Sequence, residues 1–261
     1  MATRGVKSTH YDTVMAHMFE KLVQAHGEQD FYHYTKSDLV DAMEELKAQG
    51  VVKHISNIPD IKYTYDARRD FPLLMTLRGF WGIIGVGKSK YRLEKIPFNN
   101  LIRYPSDFSS ISIEEFKIQD VTPPEVRAVL GNDEQATMTA LRYNDVISHF
   151  LGMETFQVQG HERTTVSCGQ IEVDEVYVGK SGNEKYVIPI SAKGGDKDCL
   201  SYTQALNLSL YAKEKSRYSG YSALPLGVLR TIDDNIIIVQ FSFSENLKDM
   251  KILKVSSYII N

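Results

Sequence analysis

Cysteine is almost missing from this chain, with two in 261 residues. Cys168 and Cys199 show neither zinc-ligand spacing nor the density of a disulfide framework, which reads as two plain thiols in a reducing cytoplasm. Long apolar runs are missing too, and MATRGVKSTHYD has no apolar signal core, so neither membrane insertion nor export is expected. Charge of one sign does not dominate: 30 Lys and Arg face 33 Asp and Glu, a net −3. With no global basic field, a chain that grips a polyanion must gather its cations locally. Internal repeats and low-complexity tracts are absent. What is present is 43% hydrophobic and 10% aromatic residues, enough for a substantial core and against wholesale disorder. The length fits one large domain or two small ones.

The most telling stretch runs from Gly169 to Gly194. Ile171, Val173, Val176, Tyr177 and Val178 are β-formers bracketed by Gly169 and Gly179, and Lys180-Ser181-Gly182-Asn183 is turn chemistry. Tyr186 to Ala192 is a nearly continuous apolar run, as in a strand buried on both faces. Side-chain alternation places Glu172 and Asp174 on one face, Glu175 on the other, and Ser191 with Lys193. If the two strands are neighbours, Asp174, Ser191 and Lys193 converge. Asp174 then holds a hard cation such as Mg²⁺ through oxygen, while Lys193 orients or activates a water and offsets phosphorane-like charge.

These residues resemble the PD-(D/E)XK nuclease superfamily, typified by type II restriction endonucleases. Its pattern is an Asp at the end of one strand and (Asp/Glu)-x-Lys on the next; Asp174 matches the first position and Lys193 the lysine. Ser191 stands where the second acid belongs, a departure from the pattern; some members place Gln there or recruit a carboxylate from elsewhere. Glu172, Glu175 and Glu134 are the candidate substitutes, and strand geometry favours Glu172. A longer block from about Asp133 to Tyr211, including DEQATMTALRYNDVISHF, RTTV, IEVDEVYVG and VIPISAKGG, resembles a group of inferred endonucleases. The plain alternative is an ordinary hairpin with solvated acids.

The remainder reads as two parts. Residues Tyr11 to Ala25 show helical apolar spacing, and Ser37 caps a second helix that ends at Gly50. Two short helices followed by β-prone Val51-Val52 and Ile61 to Tyr65 suggest a winged-helix-like unit, with Arg68 and Arg69 among the nearby cations available to DNA. Ordinary solvated charge explains those cations equally well. Gly82 to Ser89, GIIGVGKS, matches the Walker A pattern, but Lys88 to Ile96 alternates like a strand, so a glycine-rich hairpin is expected and no nucleotide cofactor. Pro97 to Gly131 reads as an irregular connection. Asn132 caps a long helix to about Phe150, with Gln135 at the capping-box position and Glu134 in the first turn. Arg142 on that helix and Arg163 before the strands are positioned to meet phosphate or to pair with acids. A helix from about Ser201 to Ala212 presents Gln204; Lys197 joins a local basic zone with Lys213, Lys215 and Arg217. Ile236 to Phe243 and Ile252 to Ile260 close the sheet as strands.

The expectation is therefore an α/β chain, α+β overall. It has a winged-helix-like domain over 1–100 and a restriction-endonuclease-like mixed sheet flanked by helices over 101–261. The function expected is Mg²⁺-dependent hydrolysis of phosphodiester bonds in double-stranded DNA, with a symmetric duplex site favouring a homodimer. The alternative is a non-catalytic DNA-binding protein with a degenerate nuclease-like domain, supported by Ser191; a nucleotide hydrolase built on Gly82 to Ser89 is the remote third.

Overall fold

The structure is a computed structural model that describes residues 9–194 and 198–261. The chain folds as two compact units, Met1–Asn100 and Leu101–Asn261.

In the first unit α1 (His10–His26) is started by a reciprocal box between Thr9 and Asp12. β1 (Phe31–Thr35) runs directly into α2 (Lys36–Ala48), and its cap is Thr35, bonded to Asp38, rather than Ser37. α3 (Pro59–Ala67), the single turn α4 (Leu73–Thr76), and the strands β2 (Phe80–Gly87) and β3 (Lys90–Ile96) follow. The three strands form an antiparallel sheet in the order β1-β3-β2. α3 corrects the strand expected over Ile61 to Tyr65. Pro59 opens a helix, and Ile61 and Tyr65, four residues apart, are both buried in a core with Phe19, Met43 and Trp81. Gly82 to Ser89 forms one arm and the turn of a hairpin, and β3 follows it rather than a helix, so these residues do not make a P-loop.

The second unit contains, in chain order, β4 (Leu101–Ile102), β5 (Glu114–Ile118), α5 (Pro124–Arg127), α6 (Glu134–Tyr143), α7 (Val146–Leu151), β6 (Thr155–Gln159), β7 (Glu162–Val166), β8 (Gly169–Val173), β9 (Glu175–Ser181), β10 (Glu184–Gly194), β11 (Leu200–Ser201), α8 (Tyr202–Glu214), β12 (Ser222–Ala223), β13 (Leu226–Arg230), β14 (Ile236–Phe241) and β15 (Ile252–Ile260). Its main sheet is mixed, in the order β5-β15-β14-β13-β10-β9-β6, with β12 also beside β10. β10 lies at the heart of it, antiparallel to β9 and parallel to β13. Met138, Leu141, Ile147 and Phe150 from α6 and α7 pack on Ile188, Ile190 and Ala192, which accounts for the unbroken apolar run of β10. α8 also packs along β10. Gly227, opposite Ser191, allows the tight fit there, since a Cβ would sit 2.9 Å from the Leu200 side chain.

Three expectations change. The helix from Asn132 to Phe150 is two helices capped at Asp133. Asn144 ends the first by bonding Ala140 O, Val121 N and Thr122 Oγ1, and Asp145 turns left-handed at φ 50°. The irregular connection contains β5, which adds parallel to the edge of β15. Most consequentially, QIEVDEVYVG is not one strand. Among the described residues β8 pairs with β7 alone, in a separate two-stranded sheet, and the chain bends at Asp174 before β9 joins the main sheet.

Candidate active site

The bend at Asp174 has a clear cause. Its N–H donates to Ile190 O at 2.9 Å, continuing the pairing with β10 by one more bond. Its carboxylate Oδ2 then accepts the Ala192 N–H at 2.7 Å, so a side chain replaces the main-chain acceptor that β9 no longer offers. The next residue, Lys193, is only 7% exposed, and its Nζ donates to Ala192 O at 2.8 Å. The same Nζ lies 3.6 Å from Glu134 Oε1. Glu134 reaches this point because the start of α6 abuts the end of β10: a Cβ on Gly194 would lie 3.8 Å from Asn132 O and 4.0 Å from Glu134 Cγ.

Glu134, Asp174 and Lys193 thus gather at the carboxyl end of β10. Burial pushes the Glu134 carboxyl above its ordinary range; Lys193 opposes this, while Asp174 and Asp198 reinforce it. Lys193 therefore sits among carboxylates in a half-dry recess. Sequence reasoning missed two further neighbours. His161, on the β6–β7 turn and 49% exposed, places Nδ1 3.8 Å from Asp174 Oδ1. Asp198 acts on Glu134 electrostatically. A lone histidine beside a glycine and an acid in a polar turn give no periodic signal that would have marked them.

The other candidates lie elsewhere or are otherwise engaged. Glu172 does not share a face with Asp174 in one strand: it sits in β8, exposed, and is held by Arg163 from β7 through Nε at 2.7 Å and through Nη2. That correction takes away the shared strand face on which Glu172 was favoured and leaves Arg163 paired. Glu175 is 1% exposed and pairs with Arg142 of α6, and the Tyr177 hydroxyl donates to its Oε2 at 2.8 Å. Arg142 is thereby bound to Glu175 rather than Asp145. Ser191 is buried in the register of Gly227. Gln204 lies in the first turn of α8, and its Oε1 is buried without a hydrogen-bond partner among the described residues. Lys197 lies outside the described residues. Arg69 is tied to Asp12 at 2.9 Å and to Thr9 Oγ1 at 3.1 Å, and Arg68 stacks over Tyr63 at 4.6 Å.

The donor chemistry at the end of β10 fits Mg²⁺: the available side chains are hard carboxylate oxygens. Among the described residues no three His, Cys, Asp or Glu side chains form a cage of their own. Mg²⁺ suits such a site, because it binds through one or two carboxylates and keeps waters and substrate phosphates as its other ligands. Glu134 and Asp174 are the residues that would hold it. Comparison with family models, curated proteins and solved structures gives no match, so the residues themselves carry the reading.

Proposed function

We propose that the chain is a Mg²⁺-dependent endonuclease of the restriction type, hydrolysing phosphodiester bonds in double-stranded DNA. The observation behind this is the meeting of Glu134, Asp174 and Lys193 at the end of β10. α6 before the strands and α8 after them, both against β10, agree with the restriction-endonuclease-like arrangement that the resemblance implies. Glu134 supplies the acid that Ser191 cannot. In the reaction, water attacks phosphorus and the P–O bond to the leaving strand breaks; the water's proton passes to solvent, and the leaving oxygen takes a proton from solvent. Lys193, as an ammonium, donates to the attacking water or to a phosphoryl oxygen, offsetting the charge that grows in the transition state. Mg²⁺, when bound, adds Lewis-acid stabilisation of that same charge.

For the first unit we propose a winged-helix-like DNA-binding role, with β2–β3 as the wing. α3 is a poor choice for the gripping surface: Lys62 pairs with Asp66, Arg69 with Asp12, and Arg68 lies over Tyr63. Lys36, Lys88 and Lys90 are exposed and gathered at the hairpin tip, where Lys36 N–H donates to Ser89 O at 3.0 Å and Thr35 pairs with Lys90. These cations suit phosphate contacts, which position a protein without reading sequence.

Incubation of purified protein and Mg²⁺ with phage DNA tests the function. Discrete fragments are expected. Binding without cutting would select the non-catalytic reading, which Ser191 favours.

A further inference from the structure

Glu175 is the most deeply buried carboxylate beside the site, and the chemistry proposed above does not use it. It immediately follows Asp174, so wherever its side chain is fixed, the Asp174 backbone is fixed too. Its partners are specific: Arg142 binds Oε1, and Tyr177 donates to Oε2 at 2.8 Å. Arg142 belongs to α6, eight residues after Glu134, so the two project from one side of the helix, about 12 Å apart along its axis. The helix therefore touches the β9–β10 hairpin at both ends. Glu134 meets Lys193 at one end, and Arg142 meets Glu175 at the other. Asp174 itself is tied on its other side, through Ile190 O and Ala192 N.

We propose that Arg142 and Glu175, with Tyr177, form a positioning clamp that sets the placement of Glu134 relative to Asp174. The clamp couples the helix bearing one proposed Mg²⁺ ligand to the strand bearing the other. It rests on the reading of Glu134, Asp174 and Lys193 as a Mg²⁺ nuclease site. Glu175, 1% exposed, is sealed from substrate, and Arg142, whose side chain is 38% exposed, reaches the clamp through Glu175.

The test removes the polar network as a unit, through Arg142→Met, Glu175→Met and Tyr177→Phe together. No orphaned charge is left buried, so the fold is expected to melt near the wild-type temperature. Mg²⁺ affinity, read by calorimetry without DNA, is expected to weaken about 10- to 100-fold, as for other residues that orient metal ligands. The kcat is expected to fall on the order of 100-fold, the scale of a 1 Å misplacement, with KM for DNA little changed. Glu175→Gln, which keeps shape and the Tyr177 bond, is the second variant and covers a failure of the triple variant to fold. It is expected to show an intermediate loss of Mg²⁺ affinity. Wild-type Mg²⁺ affinity and kcat in a well-folded variant would overturn the clamp and leave the nuclease reading intact. A wild-type protein that neither binds Mg²⁺ nor cleaves would overturn both.

Discussion

β8 and β9 are consecutive in sequence and opposite in situation. β8 lies in a small, open two-stranded sheet, and its acid, Glu172, is exposed and matched by Arg163. β9 lies inside the main sheet, and its acid, Glu175, is sealed from water and held by Arg142 and Tyr177. Asp174 stands at the joint, with its carboxylate half in the sheet's hydrogen bonding and half available. Three carboxylates within four residues thus have three fates, set by which sheet each backbone joins. The acid that joins Asp174 comes from forty residues away, on α6.

That contrast can be broken by mutation, and the largest effects belong at the joint. Asp174→Asn and Lys193→Ala are each expected to reduce Mg²⁺-dependent cleavage by about 10³-fold, the scale of lost transition-state stabilisation at a preorganised site. Lys193→Ala should still shift DNA in a gel. Near-normal cleavage by either variant would remove the site.

A smaller effect is expected at the hairpin tip of the first unit. Lys36→Ala, Lys88→Ala and Lys90→Ala together should weaken DNA binding, and the dependence of log affinity on log salt should become shallower by about 0.9 per lost contact, about 2.7 for three. Lys47→Ala, at the far end of α2 and paired with Glu44, serves as the control and should leave the slope unchanged. An unchanged slope in the triple variant would move the phosphate contacts elsewhere.

The exposed side of the contrast should yield little. Arg163→Ala is expected to alter stability by at most about 1 kcal/mol, because exposed pairs are well screened; a large loss of melting temperature would show that β7–β8 matters more to the fold than its openness implies. That hairpin has a firmer anchor in Glu162, which binds Tyr211 at 2.5 Å, Lys215 at 3.2 Å and Arg217 at 2.5 Å. Burial opposes ionisation of Glu162, but these bonds outweigh it and hold the carboxyl below its ordinary value. The stabilisation is therefore complete above the ordinary glutamate pKa and is lost as pH falls through the lowered one. Amide exchange, corrected for intrinsic rates, should show β7–β8 loosening in acid before the main sheet does. Equal protection of the two sheets would argue against the anchor.

The sequence made much of this visible. Tyr186 to Ala192 announced a strand buried on both faces, and β10 is that strand, buried from Val187 onward with Tyr186 only partly covered. Ile61, Tyr63 and Tyr65 satisfied strand alternation and, as Ile61 with Tyr65, helical spacing as well; Pro59 and burial of the i,i+4 pair decided for helix. The break at Asp174 left only a faint trace, in that the apolar alternation of Ile171 and Val173 stops at Asp174-Glu175 and gives way to the run Val176-Tyr177-Val178; the bond from Ala192 N to its side chain is what shows the change of sheet. The choice among the acids was harder to read: within one strand Glu172 is the natural partner of Asp174, whereas Glu172 belongs to the β7–β8 sheet and Asp174 bonds to β10 of the main sheet. His161 reached the site through a turn, whose path no periodicity encodes.

The sharpest test sets the two acids side by side: cleavage rate against Mg²⁺ concentration for Glu134→Gln and Glu172→Gln, each beside wild type. Glu134→Gln should cut about 10²-fold more slowly or require far more Mg²⁺, while Glu172→Gln overlays wild type. A severe loss in Glu172→Gln with normal cleavage by Glu134→Gln would contradict the site at the end of β10 and restore the single-strand arrangement that the bend at Asp174 excludes.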